Sequence, residues 1–297
     1  MFEGVCTAIV TPFKNGEVDY QAYEALVKWQ LESGVKAIVV AGTTGEGSTL
    51  TEEERSQLTR LTKQLCEGKA KVIVGTGSND TRKALHLSLL AQKDGADGVL
   101  VVTPYYNRPT QEGLYQHYKF LAERLSIPII IYNVPTRTGV NILPETVVRL
   151  ARDFPNIVGI KEANPDVNQA DEIIKLSRRN GLNLMVWSGN DDRTLHMMAA
   201  GAHGVISVVS NVLPRETVEM VEAALKGDLK RAQRLHYQLL DVVKLLFIET
   251  NPIPVKAMLY VMGKIENELR LPLVPASEAT MEKIRKCVEK MRSEVLV

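Results

Sequence analysis

A (β/α)8 TIM barrel with a helical C-terminal extension is the fold the sequence predicts, and three observations carry it. Eight short apolar runs recur up to Val208, and stretches of helix length separate them. Most runs are apolar at successive positions rather than alternating, as parallel strands buried on both faces require. Several of the intervening stretches open on helix-start residues. Doubly wound open sheets alternate strand and helix too, but eight successive units favour a closed barrel.

The runs, in order, are Val5 to Val10, Ala37 to Ala41, Lys71 to Val74, Gly98 to Val102, Pro128 to Tyr132, Ile157 to Ile160, Leu184 to Trp187 and Gly204 to Val208. Thr51 followed by Glu52-Glu53-Glu54 offers an N-cap with acids in the first turn, where the helix dipole favours them. Asn79, Pro144, Asp191 and Pro214 stand where further helices should begin. Beyond Lys226-Gly227-Asp228 the chain reads as three more helices, divided by Asn251-Pro252-Ile253-Pro254 and by Pro272 to Pro275. The expected division is a catalytic barrel over 1–225 and a helical region over 226–297.

Composition narrows the function. The chain has 297 residues, 45% hydrophobic and 24% charged, which suits a globular core. Lys and Arg number 36 against 35 Asp and Glu, a net charge of +1, so no global field gathers nucleic acid or anionic membrane. Three separated cysteines, Cys6, Cys66 and Cys287, give neither a disulfide framework nor a zinc motif, and suggest a reduced, cytoplasmic protein. Five histidines form no metal-binding pair, and no run reaches the roughly 18 apolar residues of a membrane span. No metal, cofactor, nucleic acid or membrane is expected as a partner.

Active sites of such barrels lie at the C-terminal ends of the strands, so polar residues just after the apolar runs are the candidates. Lys161 follows Ile157-Val158-Gly159-Ile160 and places an amine at the rim of an apolar interior. Burial disfavours the charged form of an amine and exposes a nucleophile able to form a Schiff base; the plainer reading is a lysine snorkelling from a strand end. Imine chemistry needs a proton shuttle. Tyr132, one strand away, can serve if hydroxyl neighbours relay the proton, because a phenol alone titrates near 10. Thr43 and Thr44, in Gly42-Thr43-Thr44-Gly45, could supply those hydroxyls, and the glycines let backbone amides approach an anion. That turn is neither a Rossmann fingerprint nor a P-loop, so a small carboxylate is the more modest ligand. Arg137 adds a fork suited to a carboxylate.

Three motifs, Gly42-Thr43-Thr44-Gly45-Glu46, Tyr132-Asn133-Val134-Pro135 with Arg137-Thr138-Gly139, and Gly159-Ile160-Lys161-Glu162-Ala163, resemble the dihydrodipicolinate synthase and N-acetylneuraminate lyase superfamily of class I aldolase barrels. The match spans essentially the whole chain, through Asn251-Pro252-Ile253-Pro254-Val255-Lys256. Arg137 and the Thr103 to Pro109 segment look like the dihydrodipicolinate synthase branch, since sialic acid lyases usually lack that arginine. The resemblance implies a lyase in which Lys161 forms an imine with pyruvate, and in which Tyr132 passes protons through Thr43 to Tyr106 of a neighbouring subunit. It implies that Thr44 and the backbone of Ile206 hold the pyruvate carboxylate, and that Arg137 holds the carboxylate of L-aspartate 4-semialdehyde. The product would be the first committed to diaminopimelate and lysine, made by a homo-oligomer, commonly a dimer of dimers. Where lysine-inhibited bacterial members tend to carry two histidines and a glutamate, this chain has Glu52, Arg55 and Lys83, which implies weak or absent inhibition by lysine. Asn79 and Tyr105 keep the family's form. Two other readings stay open: an aldolase for a 2-keto-3-deoxy sugar acid, and a catalytically silent carboxylate sensor.

Overall fold

Eight parallel strands close into the expected barrel in a computed structural model that describes residues 1–293. They are β1 (Gly4–Ala8), β2 (Ala37–Val40), β3 (Lys71–Gly75), β4 (Gly98–Val102), β5 (Ile129–Asn133), β6 (Ile157–Glu162), β7 (Met185–Ser188) and β8 (Gly204–Ser207). Each strand pairs with its sequence neighbours, and β8 closes on β1. The helices between them are α1 (Tyr20–Glu32), α2 (Glu52–Cys66), α3 (Thr81–Lys93), α4 (Gln111–Ala122), the short α5 (Pro135–Thr138), α6 (Pro144–Asp153), α7 (Asn168–Arg179), α8 (Thr194–Ala200) and α9 (Pro214–Leu225).

The alternation along each strand makes two cores. One set of side chains, including Cys6, Val39, Ile73, Leu100, Ile130 and Ile206, packs inside the barrel. The other, including Val5, Ile38, Val72, Val99, Ile131 and Val186, packs against the helices. Both faces are dry, which is why the runs lack the apolar-polar alternation of a half-solvated sheet. Trp187 fills the interior from β7. Its ring stacks on Phe2 with centroids 4.8 Å apart, and its Nε1 donates to the Phe2 carbonyl at 3.2 Å. Gly159 makes room for that ring: a Cβ there would lie 2.6 Å from Trp187.

Local signals work as the chemistry predicts at α2, where Thr51 and Glu54 form a reciprocal capping box, and at α6 and α9, which open on Pro144 and Pro214. Two expected helix starts are displaced. Asp80, not Asn79, caps α3, accepting from the Arg82 amide at 2.8 Å. Asp191 opens only a 3₁₀ turn, Asp191–Arg193, and α8 begins at Thr194, because the Asp191 carboxylate bridges to another strand end. A short hairpin absent from the eight-run pattern pairs Phe13–Lys14 with Glu17–Val18, turned by Asn15 and Gly16 at φ 54° and 85°. Asn-Gly between short strands is the signal that marks it.

Three further helices follow: α10 (Leu229–Leu246), α11 (Ile253–Val261) and α12 (Glu278–Ser293). Two charged contacts tie this region to the barrel, one to the loop after β2 and one to the first turn of α2. Lys256 on α11 meets Glu46, in the loop after β2, at 2.6 Å with both side chains buried, and also donates to the Thr11 carbonyl at 2.9 Å. Arg270 grips Glu54 through both guanidinium nitrogens, at 2.6 and 2.8 Å, and lies over the Phe13 ring. That bidentate contact holds the Glu54 carboxyl down at about 2. Among the described residues no helix is long and apolar enough to cross a membrane.

Candidate active site

Lys161 lies within β6 rather than beyond it. The ladder sets it opposite Tyr132 on β5 and Trp187 on β7, so three neighbouring strands present these side chains at one level. The two-residue period turns them inward together. Lys161 is 6% exposed, and its Nζ sits 4.3 Å from the centroid of the Tyr132 ring. Among the described residues two lysines are buried, and their surroundings differ. Lys256 is held by Glu46 and a carbonyl, whereas Lys161 has no ion pair or protein hydrogen bond. The second amine is therefore the one available for chemistry.

Lys161 stands among the apolar side chains of the barrel interior, with the Asp191 carboxyl near enough to feel its charge. Burial pushes the Cys6 thiol beneath it upward, against the opposing charge of Lys161, so that sulfur stays protonated. Asp191, after β7, is raised by burial, while hydrogen bonds and the Lys161 charge pull the other way. Its carboxylate accepts from the amides of Val208 and Val209, at 2.9 and 3.0 Å, tying the end of β7 to the end of β8 just beyond Ile206. Ile206 itself is fully buried within β8, in register with Cys6.

Glu162 points the opposite way from Lys161, into the layer between sheet and helices. It accepts from the Asn133 side chain at 2.9 Å, from Gln169 at 2.8 Å and from the Asn164 amide at 2.7 Å. Burial outweighs these donors and lifts its carboxyl to about 7. The network braces β5 against β6 directly behind the Tyr132–Lys161 pair. An acid immediately after a strand-end lysine, on the other face, was the available signal for it.

The turn after β2 is folded tightly upon itself. A Cβ on Gly47 would lie 2.0 Å from the Ala41 carbonyl oxygen. Arg55 reaches back from α2 to the carbonyls of Ala41, Gly47 and Gly75, which occupies its two terminal nitrogens and leaves Nε buried without a partner among the described residues. In this turn Thr43 is exposed and Thr44 is 2% exposed. The Thr44 hydroxyl accepts from the Asn251 side-chain amide at 3.0 Å. Arg137, exposed on α5, donates to the Asn251 carbonyl at 3.2 Å. The structure thus brings Lys161 to Tyr132, and Thr44 to Arg137 through Asn251, a residue the sequence reading had used only as a motif and helix break.

Tyr106 stands apart. It is 89% exposed, with φ at 75°, at the tip of the loop after β4. It makes no side-chain hydrogen bond to Thr43 or Tyr132 within the chain. Among the described residues no group of His, Cys, Asp and Glu could hold a metal ion.

Comparison with known proteins places this arrangement in context. Residues 1–291 match a family model described as the dihydrodipicolinate synthetase family. A protein of Fervidobacterium nodosum named 4-hydroxy-tetrahydrodipicolinate synthase is 66% identical over 291 residues, which cover 98% of this chain and 99% of that protein. The crystal structure of dihydrodipicolinate synthase from Thermotoga maritima superposes with a TM-score of 0.97 at 56% identity, covering all of both chains. A dihydrodipicolinate synthase variant characterised as monomeric superposes at 0.96 with 57% identity, covering 97% of this chain and 96% of that one.

Proposed function

We infer that this chain, which belongs to the dihydrodipicolinate synthetase family, is a 4-hydroxy-tetrahydrodipicolinate synthase: a class I aldolase-type lyase that condenses pyruvate with L-aspartate 4-semialdehyde. The observation that carries the reading is the buried, unpaired Lys161 amine over the Tyr132 ring at the barrel mouth. The amine adds to C2 of pyruvate and water leaves, giving an imine. Loss of a methyl proton then makes the enamine, whose carbon attacks the aldehyde; the semialdehyde's amine then adds at C2 and displaces Lys161, which closes the ring and frees the enzyme. Tyr132, whose ring centroid lies 4.3 Å from the Lys161 Nζ, is the proton carrier at the imine. Thr44 and the backbone at Ile206 hold the pyruvate carboxylate, and Arg137 at the rim holds that of the semialdehyde.

Removing Arg137 separates this reading from an aldolase for a 2-keto-3-deoxy sugar acid. Arg137→Ala is expected to raise the KM for semialdehyde about tenfold or more, while borohydride still traps pyruvate on the protein. Equal damage to both steps would count against the assigned role.

Thr43 and Tyr106 complete the relay between subunits of a homo-oligomer, a dimer of dimers. A tyrosine almost wholly exposed on a left-handed backbone supports this, since it contributes to no packing in its own chain. Sedimentation at assay concentration should find an oligomer; a fully active monomer would remove Tyr106 from the relay.

Weak or absent inhibition by lysine also belongs to this proposal. Both terminal nitrogens of Arg55 are held by backbone carbonyls, Glu52 pairs with His86 at 3.0 Å, and exposed Lys83 would repel a ligand ammonium. Steady-state rates should be unchanged by micromolar lysine, and inhibition there would overturn the expectation. The reduced cysteines support a cytoplasmic location.

A further inference from the structure

We propose that Asn251 is a positioning residue that sets the direction of the Thr44 hydroxyl and couples the two carboxylate anchors of the site, a role that rests on the synthase reading above. A threonine hydroxyl has one proton to donate and lone pairs to accept with. In this site the Asn251 Nδ2 donates to Thr44 Oγ1 at 3.0 Å, and the Thr44 hydroxyl proton finds no acceptor among the described residues. An amide donor on one side therefore leaves the hydroxyl proton free to point at an anion. The same residue's backbone carbonyl receives Arg137 Nη2 at 3.2 Å. One residue of the C-terminal region thus touches the anchor assigned to pyruvate and the anchor assigned to the semialdehyde.

Two further features support a placed rather than incidental contact. Asn251 is 5% exposed, and its Oδ1 is buried without a partner among the described residues, a destabilising arrangement that the contact to Thr44 imposes on the amide. The segment is also held from both sides. Lys256 lies five residues along the chain, locked to Glu46, and Glu46 is two residues from Thr44 in the same turn. Asn251 and Thr44 are consequently clamped at a fixed separation.

The test uses Asn251→Asp and Asn251→Ala with Thr44→Val. Aspartate keeps the shape but only accepts, so it takes the Thr44 proton and sets a negative charge beside the pyruvate carboxylate. Asn251→Asp is expected to raise the KM for pyruvate about tenfold or more, with a smaller change in kcat. KM does not depend on how much of a preparation is folded, so partial unfolding does not mask the result. Asn251→Ala and Thr44→Val should be non-additive, the double variant losing clearly less than the product of the single losses. An unchanged pyruvate KM in Asn251→Asp, or losses that simply multiply, would overturn the proposal while borohydride trapping of pyruvate by the wild-type protein left the synthase reading standing. Failure of the wild-type protein to trap pyruvate would overturn that reading and the proposal with it.

Discussion

Lys161→Ala is expected to abolish turnover, with kcat/KM falling on the order of 10⁴-fold or more, because the covalent route disappears rather than slows. The backbone pairing of β6 with β5 and β7 does not use the side chain, so the variant should keep its circular dichroism spectrum and fold. Borohydride with pyruvate should label the peptide containing Lys161 in the wild-type protein and leave the variant unlabelled. Two outcomes would sink the assignment: activity within tenfold of wild type, or an adduct that maps to another lysine. Lys256 is the informative control for the second, since it is also buried but its ammonium is held at 2.6 Å by Glu46.

Lys256→Met should destabilise the protein by about 3–5 kcal/mol, the usual cost of leaving one member of a buried ion pair uncompensated. Burial pulls the Lys256 ammonium below the ordinary lysine range and Glu46 opposes this, so each charge is tolerated in the interior on account of the other. Methionine fills similar space but leaves the buried Glu46 carboxylate without a countercharge there, with the Arg270 amide at 3.1 Å as its remaining donor. Urea unfolding measures the loss, and the double variant Glu46→Gln/Lys256→Met should recover most of it. A single-variant loss below about 1 kcal/mol would mean that water reaches Glu46 and that the pair does not bind α11 to the turn. Because that turn carries Thr44, the single variant should also weaken pyruvate binding in its folded fraction.

Much of the barrel was legible because its signals are local. Strands buried on both faces must be apolar throughout, so Ile129 to Tyr132 announces itself without a partner, and the capping box at Thr51 and Glu54 needs only four residues. The limits appeared where a side chain finds a distant partner. Asp191 looked like a helix start, yet its carboxylate binds the amides of Val208 and Val209, and the helix begins three residues later. Asn79 has the right chemistry for a cap, but the carboxylate next to it takes that place. The Asn15-Gly16 turn was a local signal that went unread.

The site divides in the same way. Lys161, Tyr132 and Arg137 stand out in the sequence because strand ends are marked by where apolar runs stop, and the ladder then sets Lys161 beside Tyr132 as the period of two requires. By itself, then, the sequence determined the fold class, the order of the barrel strands, the place of Lys161 at a strand end and the family, all properties of short-range pattern. Only the tertiary structure decided that the segment after α10 reaches back more than two hundred residues along the chain, with Asn251 on Thr44 and Lys256 on Glu46. No periodicity records such pairs, because hydrogen bonds and ion pairs between distant segments depend on which loops the closed barrel brings to one mouth.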